Sequence, residues 1–142
     1  MIRRRRQAHD DPVIPGTQIY GISFFNTTAN SFDVQHLWSS SVYNGHGVIG
    51  VIRQGASVNV FPSDDTFYNA SSVFGSGDDL GSGNYVFCLN ARNAGVVPIT
   101  VTNLASNTTY YCRYFAFNTA KGKVKYLTNT GTGNPRSKKT GS

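Results

Sequence analysis

The side chains that could hold a metal ion are few and scattered along this sequence. They are His9, His36, His46 and the pairs Asp64-Asp65 and Asp78-Asp79. None has the spacing of a transition-metal site, and the sequence contains no glutamate to close an EF-hand calcium loop. The paired aspartates could still offer oxygen atoms to calcium, but we interpret them as turn residues whose carboxylates accept backbone N–H groups. We therefore expect no metal and no cofactor.

Residues with catalytic potential show no recognisable arrangement. There is no Gly-x-Ser-x-Gly elbow, no phosphate-binding Walker loop and no dinucleotide-binding fingerprint. The segment Gly75-Ser76-Gly77 lacks the flanking strand and helix that a phosphate cradle needs. The sequence therefore predicts a protein that is not an enzyme and has no small-molecule substrate.

The composition indicates strands rather than helices. All 7 acidic residues are Asp, so a good helix former is missing, whereas 15 Gly, 8 Tyr and 9 Phe suit aromatic strands separated by tight turns. Seven short strands are predicted, the number in one sandwich: residues 18–26, 31–38, 47–53, 84–90, 99–104, 110–118 and 123–128. The run Val48–Ile52 is apolar at successive positions, which predicts a strand covered on both faces.

The net charge of +6 is concentrated at the two ends of the chain. The N-terminal end carries four consecutive arginines, Arg3, Arg4, Arg5 and Arg6. From Arg113 onward there are seven basic residues and no acid, whereas all the aspartates lie before Cys112. The 142 residues are therefore divided into a basic extended arm (1–16), one sandwich domain (17–128) and a flexible basic tail (129–142). No apolar stretch approaches the roughly 20 residues that cross a bilayer, so we expect no membrane segment.

Three residues resemble the signature of fibronectin type III domains. Leu104 is followed six residues later by Tyr110, as in the tyrosine corner that starts the next-to-last strand. Trp38 lies where that family has its core tryptophan. The resemblance implies an all-β, immunoglobulin-like sandwich with Trp38, Leu104 and Tyr110 in its core. It implies no catalytic residues.

Further segments are similar to the bacterial and phage type of this domain, over roughly residues 38–128. They are Arg53-Gln54-Gly55, Phe61-Pro62-Ser63-Asp64, Phe74 to Gly77, Leu80 to Val86, Thr108 to Tyr111 and Tyr126-Leu127-Thr128. His36 departs from the pattern, since it points inward where the family has an aliphatic residue. We expect a core or edge histidine with satisfied hydrogen bonds, unless a bulge shifts the register. The type III strand order also separates Cys88 from Cys112 by one strand, which predicts two reduced, buried thiols.

The lone sandwich with a basic arm resembles a small virion protein that decorates a phage capsid. The expected function is structural: Arg3 to Arg6 pair with carboxylates of the major capsid protein, and the protein is made in the host cytoplasm and resides in the virion. Two alternatives stay open. The arm and tail could bind nucleic acid through phosphates, and Tyr43, Phe67 and Tyr68 could form a carbohydrate-binding surface.

Overall fold

Eight β-strands account for the regular structure of the computed structural model, which describes residues 11–38, 45–91 and 98–142. No helix occurs in these ranges. The strands are β1 (Tyr20–Phe25), β2 (Phe32–Leu37), β3 (Gly47–Gln54), β4 (Tyr85–Ala91), β5 (Ile99–Val101), β6 (Thr109–Ala120), β7 (Lys123–Tyr126) and β8 (Arg136–Lys139). The first seven correspond to the seven strands predicted from the sequence.

Two antiparallel sheets pack face to face. One sheet has the order β1-β2-β5, and the other has the order β4-β3-β6-β7, with β8 also paired to β6. This is an all-β, immunoglobulin-like sandwich, as predicted. Strand β7 pairs with the end of β6 (117–120) and β8 pairs with its beginning (109–112). The two short strands thus divide one sheet edge between them.

The C-terminal residues differ from the flexible tail expected for 129–142. Besides forming β8, this segment reaches β1, where the N–H groups of Gly21 and Ile22 donate to the carbonyls of Thr132 and Gly133 at 2.9 and 3.1 Å. Asn134 is 1% exposed and bonds to the backbone of Ile19 and Tyr114. Backbone pairing and one buried amide, rather than apolar side chains, fix this segment on the sandwich. Its sequence therefore shows no apolar periodicity from which a strand could have been predicted.

Apolar side chains cover both faces of β3, as the run Val48–Ile52 predicted. The inner core lies between the two sheets and includes Val48 and Ile52. A second cluster, on the outer face of the larger sheet, comprises Ile49, Val51, Val58, Val86, Phe115, Val124 and Tyr126. The long connection between β3 and β4, residues 55–84, supplies Val58, Tyr68 and Leu80 to this cluster. We call this second cluster the outer layer.

Candidate functional site

The corner before β6 is built around Tyr110. Its hydroxyl oxygen accepts a hydrogen bond from the Ala105 N–H at 2.8 Å, and its ring is 1% exposed. Leu104 is 4% exposed in the same core cluster. Trp38 lies at the margin of the cluster, partly buried against it. The three residues singled out from the sequence as structural therefore all contact the inner core.

Of the two histidines in the described residues, His36 is the one that lies in the inner core. Buried residues alternate without interruption along β2, and the irregular pairing lies on β1 between Tyr20 and Ser23, so no bulge turns His36 outward. Its ring lies 4.6 Å from that of Tyr114 and 5.3 Å from that of Trp38. Neither ring nitrogen has a hydrogen-bond partner, so the expectation of a satisfied histidine was wrong. Burial lowers the pKa of His36 to about 4; the nearby Leu37 backbone acts in the opposite direction, although it makes no hydrogen bond of normal geometry with the ring.

Both cysteines are buried free thiols. Cys88 pairs with Gly50, and Cys112 pairs with Ile52 on the opposite edge of β3. The two thiols therefore lie on strands of one sheet with a third strand between them, as expected. Burial raises the pKa of Cys88 to about 12 and that of Cys112 further. Both are therefore protonated at neutral pH and are poor nucleophiles.

All four paired aspartates accept backbone N–H groups. Asp79 bonds within its own turn, to Gly81 N at 2.8 Å. Asp78 bonds to Asn69 N at 2.8 Å, whereas Asp64 and Asp65 bond to Tyr126 N and Val124 N on the free edge of β7. The described residues contain no group of three side chains that could hold a metal ion. Capping is therefore the role these carboxylates have in the structure.

The last residues of the predicted arm are fixed on the sandwich. Asp11 forms an ion pair with Lys123 at 2.8 Å, which lowers the pKa of Asp11 through the hydrogen bond and the charge of Lys123. The Asn118 side chain donates to the Val13 carbonyl at 2.7 Å, and Pro12 and Pro15 are buried. We call residues 11–16 the tether. Arg3 to Arg6 lie outside the described residues.

Gln18 joins the tether to β1. Its amide nitrogen donates to the carbonyls of Leu127 and Asn129, both at 2.8 Å. Its amide oxygen accepts from Ala116 N at 2.8 Å and Ile19 N at 3.0 Å. This 8% exposed side chain therefore fixes the start of the sandwich against β6 and the segment after β7. A buried glutamine at a strand start has no distinctive sequence signal, and we did not predict it.

Positive charge lies on β7 and β8 rather than on a tail. Lys123 and Lys125 of β7 face acids, since Lys125 Nζ is 3.8 Å from Asp64. On β8 the basic residues are Arg136, Lys138 and Lys139, and none has an ion pair with another described residue. The edge near β8 therefore carries uncompensated positive charge.

Two of the loop aromatics considered for carbohydrate binding, Phe67 and Tyr68, lie in the described residues and differ in exposure. Phe67 is 58% exposed, whereas the adjacent Tyr68 is part of the outer layer. The Tyr68 hydroxyl accepts from Ser63 N at 2.9 Å, and its ring lies 6.1 Å from that of Tyr126. Tyr43, the third aromatic considered for carbohydrate binding, lies outside the described residues. In the described ranges no helix has the length and apolarity to cross a bilayer.

Comparison with known proteins gives information about the fold and none about the function. No protein-family model matches the sequence, and no curated protein matches it. The chain is similar in structure to a β-sandwich protein obtained by computer-based redesign, with a TM-score of 0.52 and 18% sequence identity. The match covers 89% of this chain and 91% of that one. It supports a sandwich that spans nearly the whole sequence.

Proposed function

We propose that this protein is a non-enzymatic virion component, a decoration protein on the capsid of a tailed phage. The sandwich, of the bacterial and phage fibronectin type III kind, lies on the outside of the shell. The basic arm inserts between major capsid subunits, where Arg3 to Arg6 pair with carboxylates. The observation that carries the proposal is the tether, because it gives the arginine segment a fixed point of departure from the sandwich.

The tether also limits how far the arm reaches. Arg6 precedes Asp11 by five residues and Arg3 precedes it by eight. An extended chain spans at most about 3.3–3.6 Å per residue, so the arginines lie within roughly 17–29 Å of Asp11. We propose that this reach takes the arginines into a cleft between neighbouring subunits. Guanidinium groups are well matched to carboxylates there, because their donors form a planar fork.

Cosedimentation with assembled shells that lack this protein tests the proposal. We expect the intact protein to bind and the protein lacking residues 1–7 to lose most of its binding. A matched variant with Arg3 to Arg6 changed to lysine keeps the charge but not the fork, and we expect intermediate binding. Equal binding by the truncated protein would contradict an arm-mediated attachment.

A nucleic-acid-binding function is the second candidate, favoured by the four arginines together with the cations of β8, which form no ion pair with another described residue. Contacts to phosphates release counterions, so binding to a generic polynucleotide would fall steeply with salt. Filter binding of single- and double-stranded DNA between low and moderate salt distinguishes the two candidates. Affinity for DNA that exceeds affinity for shells would favour this second function.

A further inference from the structure

A pocket of about 210 Å³ opens on the outer face of the larger sheet, where β8 pairs with β6. Its lining residues are Ser57, Val58, Tyr111, Pro135, Arg136 and Ser137. One wall therefore comes from the start of the loop after β3, and the other comes from β8. The pocket lies beside the apolar cluster of the outer layer, which contains Val58.

Strand register brings cations to this pocket. Tyr111 pairs with Arg53 on β3 and with Ser137 on β8, so the three residues form one row on the same face of the sheet. The Arg53 guanidinium donates to the Ser57 carbonyl at 2.9 Å, which places it at the pocket wall. Lys139 follows Ser137 by two residues and therefore faces the same side.

A further cation lies under the neighbouring loop. Arg113 is the next residue of β6 on the same face as Tyr111, and it is 9% exposed. Its guanidinium donates to the Thr128 carbonyl and lies 4.3 Å from the centroid of the Phe61 ring, but its Nε has no partner. Arg136 faces the inner side, where its guanidinium donates to the Ile22 carbonyl at 2.8 Å, so it lines the pocket without bringing its charge there. Among the described residues neither Arg53, Arg113 nor Lys139 has a carboxylate partner. The pocket is therefore positive and lacks an acid of its own.

We propose that this pocket receives the carboxylate side chain of an acidic segment on a partner protein. Its volume of about 210 Å³ is smaller than the roughly 300–1,000 Å³ of pockets for drug-sized ligands, which suits one Asp or Glu side chain. Arginine at the wall offers planar, charge-assisted hydrogen bonds to such a group. The proposal goes beyond the proposed function, because it requires neither the arm nor a shell.

Amide chemical shifts of the full-length protein, titrated with a hexaglutamate peptide at low salt, test this site. Three variants probe it: Arg53→Gln removes a charge, Ser137→Leu blocks the pocket at an exposed strand position, and Lys121→Asn removes a charge at the distant β6–β7 turn. Lys121 has φ of 53°, which asparagine tolerates. Hexaglutamine and a hexathymidylate oligonucleotide serve as comparison ligands.

We expect saturable shifts at Ser57, Tyr111 and Ser137 with hexaglutamate but not with hexaglutamine. The affinity reported by these amides should fall about tenfold in the Arg53 and Ser137 variants and stay unchanged in Lys121→Asn.

If Arg53→Gln does not fold, the affinity of Ser137→Leu alone decides whether the proposal stands. Shifts confined to other residues, or unchanged affinity in Ser137→Leu, would overturn the proposal. Tighter binding of the oligonucleotide at these amides would also overturn it, in favour of a phosphate site. Arm-dependent shell binding is unaffected by any of these outcomes, so the two proposals can fail separately.

Discussion

The inner core and the outer layer of this sandwich differ in the partners that they offer to a buried ionisable group. In the inner core, His36 has no hydrogen-bond partner, and burial favours its neutral form. In the outer layer, Arg113 is also buried, but its guanidinium has the Thr128 carbonyl and two aromatic faces, those of Phe61 and Phe115. Arginine retains its proton in proteins. Burial lowers the pKa of both groups, but only His36 becomes neutral near physiological pH, because the ordinary pKa of histidine is close to neutrality and that of arginine is far above it.

The largest expected effect is acid sensitivity caused by His36. Its pKa is about 4 in the folded protein against 6.5 ordinarily, so the unfolded chain binds the proton more tightly. The contribution of neutral His36 to the free energy of unfolding is fully present above pH 6.5 and is lost as the pH falls towards 4. The loss is about 3 kcal/mol once the pH is well below the folded value.

Urea denaturation at several pH values between 7 and 4 measures this effect. The matched variant His36→Leu places an aliphatic residue in the core and should show a much flatter pH dependence over the same interval. The difference between the two proteins isolates His36 from the other titrating groups. Parallel curves for the two proteins would show that His36 is not the acid-sensitive group.

A smaller effect is expected from removing the hydroxyl of Tyr110. Tyr110→Phe keeps the ring in the inner core but leaves the Ala105 N–H without its acceptor. The expected loss is about 1–2 kcal/mol of unfolding free energy. The control is Tyr111→Phe, the next residue of β6, which faces the outer side. In thermal denaturation of both variants, we expect a lowered melting temperature for Tyr110→Phe and an unchanged one for Tyr111→Phe. Equal shifts in the two variants would contradict a stabilising role of the Tyr110 hydroxyl in the corner.

The smallest effect concerns the aromatic cover of Arg113 in the outer layer. Phe61→Leu keeps an apolar side chain but removes the ring 4.3 Å from the guanidinium. The expected loss is about 1 kcal/mol, within the range of cation–π contacts. Phe67→Leu is the matched control, because Phe67 is 58% exposed in the same loop. Identical stability of the Phe61 variant and the wild type would mean that the ring does not stabilise Arg113.

The strands were predictable where apolar side chains carry the fold. The alternation along β2 and the apolar run of β3 gave their positions, and the Leu104 and Tyr110 spacing located the corner. β8 escaped prediction because its sequence, Arg-Ser-Lys-Lys, has no apolar residue, and its backbone pairing has no sequence signature. The roles of Gln18 and Asn134 were missed for the same reason, since a buried amide that bonds to backbone resembles any loop residue.

The arm stays a prediction from the sequence, whereas the tether could not be predicted. Four arginines in succession predict a binding segment by charge alone, whereas Asp11 and Lys123 are more than a hundred residues apart in the chain. Only the strand order brings the β6–β7 turn to the point where the arm begins. The same holds for the pocket, whose Arg53, Tyr111 and Ser137 come from three strands.

The central claim, that the arm attaches this protein to a capsid, is tested most directly by site-specific photo-cross-linking. A benzophenone amino acid replaces Gln7, next to the arginines, and in a control protein it replaces Val73, which is 41% exposed near the end of β5. After mixing with shells that lack this protein, we expect cross-links to the major capsid subunit from position 7 and far fewer from position 73. Equal cross-linking from both positions, or none from position 7, would contradict the account.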